Sequence, residues 1–274
     1  MRSQRRLYRN QSEVNNSPNF IFDNKNYQSI STFEKFVIRR GSDNALMNVS
    51  YENILDGSYT TWLGGAIGYI NSWKEQSGTI RILNASALTT ALQFKLNTDG
   101  TITDADLTHS LIGDFNYPLT DFMISMVYAR ETNANNVRNV ISVVGNNPEA
   151  NGFMAMNNFG ATGGYFAGLH VMTQDINTAH RDFQIATPSI LDWNVLVMKK
   201  SGGILSEAVY NGVTATITAS YRDGDVAVSA DRRLSAIQLG RGKSNSYKHL
   251  GIWLDMTKTP TEIMTELNAI HSIY

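Results

Sequence analysis

The chain repeats one pattern along most of its length, in which short apolar runs alternate with turn residues. Runs rich in β-branched and aromatic residues recur about every ten residues, with glycine, asparagine and proline between them. Regular spacing of this kind is typical of a β-sandwich or barrel. No segment before residue 258 carries a long 3.6-residue period, the repeat of an amphipathic helix. The sequence therefore predicts an all-β fold, built as an antiparallel β-sandwich.

The most hydrophobic of these runs is 122–128, which reads Phe-Met-Ile-Ser-Met-Val-Tyr. An apolar run without alternation predicts a strand buried on both faces, near the middle of a sheet. The runs 80–83 and 92–96 alternate apolar and polar residues, as half-buried strands do. Further strands are predicted at 20–22, 33–40, 45–50, 66–73, 137–144, 153–156, 164–172, 183–185, 193–198, 213–219, 235–240 and 250–254.

One helix is predicted clearly, at the end of the sequence. Thr259 and Glu262 have the spacing of a capping box, and Pro260 suits the first helical position. The spacing predicts a helix over 260–271, with one apolar face formed by Ile263, Met264, Leu267 and Ile270. A shorter helical turn is predicted from Ser58, as its N-cap, through Trp62, ended by Gly64 and Gly65.

Charge and cysteine content limit the possible functions. The formal net charge is −1, which argues against nucleic acid as a partner, because a nucleic-acid-binding face must be basic. Charged residues make up only 17% of the chain, and asparagine, threonine, serine and glycine supply much of its polarity. Such a surface suits β-rich shells and subunit contacts. The sequence has no cysteine, which excludes disulfides and thiolate chemistry.

The first nineteen residues read as a basic extended arm. Four arginines fall within the first nine residues, namely Arg2, Arg5, Arg6 and Arg9. The arm is either a frayed terminus or an assembly element that becomes ordered against another subunit or an acidic surface. No apolar segment follows residues 1–6, so no signal peptide is expected. No apolar run reaches the roughly 20 residues of a membrane-spanning helix.

The sequence carries no recognisable motif for a cofactor or a metal, so neither is predicted. The five histidines show no HxH or HExxH spacing, which argues against zinc. The pair Asp223 and Asp225 around a glycine supplies too few oxygen ligands for calcium and reads as a turn. Neither a phosphate-binding glycine loop nor a GxSxG nucleophile turn occurs.

Several pieces of the last third resemble a laminin-G-like or concanavalin A-like jelly-roll domain. They are 193–197, 209–213, 237–241 and 250–254, followed by the helix that begins after Thr259. Their order and spacing match that domain over roughly residues 115–274. The resemblance implies two stacked antiparallel sheets.

A second resemblance lies upstream, in Val37–Asp43 and Ser72–Gly78. These segments look like one that precedes sandwich domains in many bacteriophage virion proteins. They are also similar to the early part of the fungal-type α-L-arabinofuranosidase catalytic domain, with Glu75 in place of that family's aspartate and without its cysteines. A retaining glycosidase needs two carboxyls roughly 5 Å apart. The counterparts of the family's nucleophile strand, 153–156 and 165–169, carry no carboxylate, so no catalytic residue is predicted.

Four aromatic residues are candidates for a carbohydrate-binding platform, because a sugar ring stacks on an exposed aromatic face. They are Tyr165, Tyr221, Tyr247 and Trp253. The alternative is that these rings belong to the core or to a subunit interface.

Together these features predict a non-enzymatic structural protein of a bacteriophage virion, such as a tail, spike, fibre or capsid-decoration subunit. Its expected partners are other virion subunits in a homo-oligomer and a host-surface glycan, with assembly in the host cytoplasm. The predicted organisation is the arm at 1–19, a segment at 20–110 that packs on or wraps the sandwich, and the jelly roll at 111–274. The alternatives are an arabinofuranosidase-like glycoside hydrolase and a carbohydrate-binding lectin.

Overall fold

The fold is taken from a computed structural model. It describes residues 19–25, 34–76, 82–85, 94–103, 111–118, 121–130, 138–144, 152–159, 168–174, 180–184, 192–201, 204–220, 233–239 and 245–274. The predicted assembly arm, with Arg2, Arg5, Arg6 and Arg9, lies outside these ranges.

Most of the described residues are in strands. The strands are β1 (Phe20–Asp23), β2 (Glu34–Arg40), β3 (Leu46–Ser50), β4 (Gly68–Lys74), β5 (Ile82–Ala85), β6 (Lys95–Leu96), β7 (Ile102–Thr103), β8 (Leu111–Pro118), β9 (Phe122–Arg130), β10 (Arg138–Val144), β11 (Gly152–Phe159), β12 (Gly168–Gln174), β13 (His180–Gln184), β14 (Trp193–Ser201), β15 (Ile204–Tyr210), β16 (Val213–Thr214), β17 (Thr218–Ser220), β18 (Arg233–Leu239) and β19 (Asn245–Trp253). The helices are α1 (Tyr51–Leu55), α2 (Ser58–Leu63) and α3 (Pro260–His271).

Every strand pairing in the described part of the chain is antiparallel. The first sheet runs β16–β15–β14–β9–β19, and the free side of β19 pairs with β1 along one half and β7 along the other. The second sheet runs β17–β13–β12–β11–β10–β18–β8–β5–β4–β2–β3. Strand β6 joins the two, because it pairs with β4 and β7. The predicted all-β antiparallel sandwich with a short C-terminal helix is confirmed.

Strand β9 lies inside the first sheet, between β14 and β19, as its apolar sequence predicts. Alternate residues of a strand point to opposite faces. Phe122, Ile124, Met126 and Tyr128 therefore point to the inner face, where they join the core between the sheets. Met123 and Val127 point to the outer face and join a second apolar cluster. Both faces of this sheet are thus buried.

The core between the sheets is formed largely by aromatic and branched side chains. Phe22 packs edge-on against Trp73 with ring centroids 5.7 Å apart, and Phe36 stacks on Trp73 at 5.9 Å. These contacts join β1 of the first sheet to β2 and β4 of the second. Other buried members of this cluster include Ile38, Ile70, Leu83, Leu111, Leu196 and Leu250.

Helix α3 covers the outer face of the first sheet. The predicted capping box is present, since the Thr259 Oγ1 accepts the Glu262 N–H at 3.2 Å and the Glu262 carboxylate accepts the Thr259 N–H at 2.7 Å. The helix begins at Pro260 and ends at His271, as predicted. Its apolar side packs on residues of β1, β9, β14, β15 and β19 through Ile263, Met264 and Leu267.

The region between β3 and β4 differs from the prediction. Ser58 is the first residue of α2 and does not cap it, because the preceding Gly57 takes the N-cap position in a left-handed conformation. A helix that was not predicted, α1, precedes it. Ser50 caps α1 with a capping box in which Asn53 replaces the usual glutamate.

Candidate functional site

Five polar or aromatic side chains meet on the outer face of the first sheet, beneath α3. We call them the polar cluster: Asp23, Ser125, His249, Trp253 and His271. The strand register brings four of them together. Asp23 of β1 lies opposite His249 of β19, and Ser125 of β9 lies opposite Gly251 of β19. His271, in the last turn of α3, completes the cluster from above.

The polar cluster is a continuous chain of hydrogen bonds. The Trp253 indole N–H donates to the Ser125 Oγ at 2.8 Å, and the same Oγ lies 2.8 Å from the His249 Nε2. On the other side of that ring, the His249 Nδ1 lies 2.6 Å from the Asp23 Oδ2. The His271 Nε2 lies 3.0 Å from the same carboxylate oxygen. One carboxylate thus holds two imidazoles.

The hydrogen positions follow from two members with fixed roles, the Trp253 indole N–H, which can only donate, and the Asp23 carboxylate. The ionised Asp23 can only accept, so a neutral His249 donates to it from Nδ1 and leaves Nε2 to accept the Ser125 hydroxyl proton. Ser125 thus accepts from Trp253 and donates to His249. The outcome is a neutral His249 beside an ionised Asp23.

Electrostatics agree with this assignment. Burial raises the pKa of the Asp23 carboxyl, but attraction to His271 and hydrogen bonds from both imidazoles outweigh it, so the net pKa lies far below its ordinary value. Burial lowers the pKa of His249, although Asp23 opposes that shift. Asp23 therefore stays ionised, and His249 stays neutral, over the physiological pH range.

Gly251 makes the cluster possible. A Cβ at this position would lie 2.4 Å from the Ser125 Oγ, 2.8 Å from the Trp253 Nε1 and 3.0 Å from the His249 Nε2. All three atoms belong to the hydrogen-bond chain, which passes directly over the glycine. A side chain at position 251 would push this chain apart, so the chain requires glycine here.

Residues of the 20–110 segment fix β1 beside the cluster. The Glu75 carboxylate accepts the Ile21 N–H at 3.0 Å, and the Gln76 N–H donates to the Ile21 carbonyl at 2.6 Å. The Gln76 side-chain amide also donates to the Asp23 carbonyl. Glu75, the residue that stands in the arabinofuranosidase-like motif, is thus buried and holds the backbone of a neighbouring strand.

A buried lysine lies close to this region. The Lys35 side chain is 0% exposed, and its ammonium donates to the Lys25 carbonyl at 2.5 Å. Burial lowers the pKa of Lys35 to about 7, although the negative charge of Asp23 raises it in part. The Lys25 N–H in turn donates to the second carboxylate oxygen of Asp23 at 2.6 Å.

Two kinds of chemistry are suggested by the cluster. Ser125, His249 and Asp23 have the order of a serine–histidine–carboxylate relay, in which imidazole activates a hydroxyl nucleophile. All three are 0% exposed, so a substrate cannot reach the hydroxyl in this conformation. Asp23, His249 and His271 also offer three metal-ligand atoms, all within 4.8 Å of one another.

The structure corrects part of the predicted carbohydrate platform. Tyr247 is 0% exposed and packs near Phe94 in the core, and Trp253 is 3% exposed beneath α3. Neither ring offers a free face for stacking, because each lies within one of the two apolar clusters. The other two candidates, Tyr165 and Tyr221, lie outside the described residues. Binding of a sugar by this chain stays a prediction.

Two tryptophans that the sequence analysis did not single out are better exposed. Trp62 and Trp193 are both half-buried. The Arg40 guanidinium lies 4.8 Å from the Trp62 ring centroid, and the Lys248 ammonium lies 3.9 Å from that of Trp193. Arg40 also forms an ion pair with Asp43 at 2.7 Å.

Sequence reasoning missed the polar cluster because its members are far apart in the chain. Asp23 and His249 are 226 residues apart, and Ser125 and His249 are 124 apart. Metal and triad motifs are recognised by short spacings, which this cluster lacks. One signal was available, namely the single serine within the apolar run of β9. A polar residue in a doubly buried strand needs a hydrogen-bond partner.

The comparisons with known proteins concern the fold. No protein-family model matches the chain, and no curated protein matches it in sequence. Its structure is similar to the receptor-binding domain of the botulinum neurotoxin C/D mosaic serotype, with a TM-score of 0.55 and 11% identity, over 86% of this chain and 51% of that one.

A similar match is to botulinum neurotoxin type C, whose cell entry depends on interaction with two ganglioside molecules. Its TM-score is 0.52 at 10% identity, over 87% of this chain and 51% of that one. Another is to the binding domain of botulinum neurotoxin DC in complex with SialylT, with a TM-score of 0.50 at 12% identity, over 87% and 51% of the two chains.

The chain spans about half the length of these toxin chains. At such low identity the likeness shows a shared β-sandwich fold. It supports the sandwich part of the predicted resemblance, whereas the bacteriophage part and the arabinofuranosidase part remain predictions. None of the helices in the described part of the chain is long and apolar enough to span a membrane.

Proposed function

We propose that this chain is a non-enzymatic β-sandwich protein that binds a host-surface glycan and acts as a homo-oligomeric subunit of a bacteriophage virion. The observation that supports the glycan-binding part is the fold, which over most of the chain is similar to that of botulinum neurotoxin type C, whose cell entry depends on gangliosides, and to that of a toxin binding domain in complex with SialylT. Fold alone does not fix a ligand, so the proposal also needs a surface that suits a sugar.

The half-buried tryptophans supply such surfaces in the described part of the chain. Sugar rings stack on aromatic faces, and a neighbouring cation adds a hydrogen-bond donor for hydroxyl or carboxylate groups. Trp62 with Arg40 and Trp193 with Lys248 each combine these two elements. They replace Tyr247 and Trp253 as the described candidates for the glycan platform.

The burial of the carboxylates Asp23 and Glu75 agrees better with glycan binding than with glycoside hydrolysis. Glycoside hydrolysis needs two carboxyl groups that reach the scissile bond. Asp23 and Glu75 are 0% and 1% exposed, and both are engaged in hydrogen bonds that hold strands together. The Ser125 hydroxyl is equally closed off from solvent. These groups therefore serve the fold.

The virion part of the proposal rests on sequence features. The segments Val37–Asp43 and Ser72–Gly78 resemble those of virion proteins, and the low charge fits a surface that forms subunit contacts. Repetition of one interface is the usual route to a symmetric assembly. We propose that the basic arm, with Arg2, Arg5, Arg6 and Arg9, contributes to that interface.

A glycan array tests the proposed function. Purified, untagged protein is applied to sialylated, ganglioside-type and neutral glycans, and bound partners are confirmed by calorimetry. We expect saturable binding to one glycan class, weakened at least tenfold by Trp62→Ala or Trp193→Ala. Leu46→Ala, which removes an exposed apolar side chain, is the matched control and should bind normally.

Three results would overturn the proposal or part of it. Absence of binding to every glycan would remove the glycan part. Turnover of an aryl-arabinofuranoside that survives repurification would favour the hydrolase alternative. A monomer by light scattering, both for the full chain and after removal of residues 1–19, would remove the assembly role of the arm.

A further inference from the structure

We propose that Asp23, His249 and His271 bind one divalent transition-metal ion, with Zn²⁺ as the representative ion. Two imidazoles and one carboxylate are ligand types that Zn²⁺ and its first-row neighbours accept. The three ligands come from three different elements, namely β1, β19 and α3. An ion at this point would join the first described strand and the last helix to the middle of the sheet.

The three ligand atoms lie within 4.8 Å of one another, so modest shifts would bring them around one ion. The Asp23 Oδ2 lies 2.6 Å from the His249 Nδ1 and 3.0 Å from the His271 Nε2. Ligands in tetrahedral zinc sites, with bonds of about 2.0–2.1 Å, stand roughly 3.3 Å apart. The second contact is therefore nearly correct, and the first has to lengthen as the metal replaces the proton between the two atoms.

The groups around two of the three ligands, His249 and Asp23, are arranged as the outer shell of a metal site usually is, whereas the His271 Nδ1 has no hydrogen-bond partner among the described residues. A ligating histidine normally has its second ring nitrogen hydrogen-bonded, and a ligating carboxylate is hydrogen-bonded as well. The His249 Nε2 lies 2.8 Å from the Ser125 Oγ, which is held in turn by the Trp253 indole. The second oxygen of Asp23 accepts the Lys25 N–H at 2.6 Å.

Metal binding requires only a local change of protons. His249 would give up its Nδ1 proton and carry one on Nε2, which then donates to Ser125, and His271 would give up the Nε2 proton that faces Asp23. The serine oxygen has two lone pairs, so it can accept this bond together with the bond from Trp253. Ser125 keeps both of its partners, but its own hydroxyl proton has to turn away from His249.

Charge gives a reason for a cation here. Asp23 is fully buried, and its ion-pair partners in the described part of the chain are the imidazoles of His249 and His271, with no lysine or arginine among them. A buried carboxylate is costly unless a positive charge compensates it. A divalent ion at the Asp23 Oδ2 would supply that charge directly.

The test uses untagged full-length protein, so that no added histidines compete. The protein is refolded with and without equimolar Co²⁺, because a buried site fills during folding. We expect one Co²⁺ per chain, visible as d–d absorption bands that Zn²⁺ removes by displacement. We also expect a higher unfolding midpoint with Zn²⁺ than with chelator. If the wild-type protein binds neither Co²⁺ nor Zn²⁺ after refolding in its presence, the proposal is overturned.

Variants then locate the ion. His271→Gln removes one ligand at the edge of the site, and Asp23→Asn keeps the shape of its side chain. Both should lose the stoichiometric Co²⁺ spectrum. Met264→Leu, a conservative change in the same helix, should keep it. A wild-type spectrum that persists in both ligand variants would place the ion elsewhere and contradict the proposal.

Discussion

The two faces of the sheet formed by β9 and β19 are both buried, but they are built in different ways. The inner face, with residues such as Ile124 and Leu250, belongs to the apolar core between the two sheets. The outer face carries Ser125 and His249 among its apolar residues, and α3 covers them. One pair of strands therefore supports an apolar core on one side and a hydrogen-bonded network on the other.

The difference shows that the two faces are stabilised in different ways, the inner face by apolar burial and the outer face by the geometry of hydrogen bonds. Apolar contacts act in every direction and scale with the area removed from water. A buried hydrogen-bond network contributes only when each member keeps its partner, and an unpaired member is costly. The inner face should therefore respond to lost volume, and the outer face to lost geometry. We infer that the polar cluster is a closed structural element and not a catalytic site.

The largest effect is expected from loss of volume on the inner face. Phe22→Ala removes a fully buried ring that packs against Trp73. We expect the free energy of unfolding to fall by about 3–5 kcal/mol, because a cavity remains where the ring was. Chemical denaturation measures this change. The exposed substitution Leu55→Ala serves as control, and an equal loss in both variants would contradict a close-packed inner face.

Lys35 tests the polar surroundings of the cluster. Its pKa is lowered to about 7 in the folded protein, so between about pH 7 and pH 10 the unfolded chain binds a proton that the folded chain does not. Stability should therefore rise with pH across this window, and no slope from Lys35 remains below it.

Lys35→Met should remove this slope. Replacement of a buried charge by an apolar side chain of similar size should also stabilise the protein at pH 7, by about 1–4 kcal/mol. Denaturation midpoints measured from pH 6 to pH 10 check both effects. Equal slopes in the variant and the wild type would show that the buried ammonium does not control them.

Gly251 tests the geometry of the outer face. Gly251→Ala places a methyl group 2.4 Å from the Ser125 Oγ, and we expect a loss of about 1–3 kcal/mol from this overlap. Ser125→Ala should lose about as much, since it leaves two buried partners without a hydrogen bond. The double variant should lose less than the sum of the two. Strict additivity would mean that the two positions do not compete for space.

The cap of α3 is a smaller contribution, because it lies at the surface. Thr259→Ala removes the hydroxyl that accepts the Glu262 N–H, and we expect a loss of about 1 kcal/mol. Thr259→Ser keeps the hydroxyl and is the matched control. Ile263 and Leu267 pack against the first sheet and hold the middle of α3 in place. Hydrogen exchange of the backbone amides in the middle turns of α3 should therefore remain slow in both variants.

The smallest effect is expected at the exposed ion pair of Arg40 and Asp43. Hydrogen bonding to Arg40 lowers the pKa of Asp43 to about 2. Its contribution is therefore present above the ordinary carboxyl pKa and is lost as the pH falls towards 2. Asp43→Asn should shift the unfolding midpoint less than any substitution above, and high salt should reduce the difference further.

Local features of the fold could be predicted from the sequence. The capping box that begins α3 involves residues three positions apart, and the apolar run of β9 lies within one segment. Hydrogen-bond spacing and hydrophobic period carry such information directly.

The polar cluster could not be predicted, because its members meet only through strand register and the return of α3. The same reason explains why the sequence could not decide whether Tyr247 and Trp253 belong to a sugar platform or to the core. Period-two alternation separates the two faces of a strand but does not say what covers each face. Tyr247 faces the second sheet, and Trp253 lies under the helix.

Treatment of the folded protein with a fluorophosphonate, followed by intact mass and peptide mapping, tests most directly whether the polar cluster is closed. Fluorophosphonates react with serine hydroxyls that an imidazole activates and that solvent can reach. We predict no adduct on Ser125 in the native protein, because its side chain is 0% exposed and bonded to both His249 and Trp253. An adduct on Ser125 that is absent from Ser125→Ala would contradict a structural role and reopen the enzyme alternative.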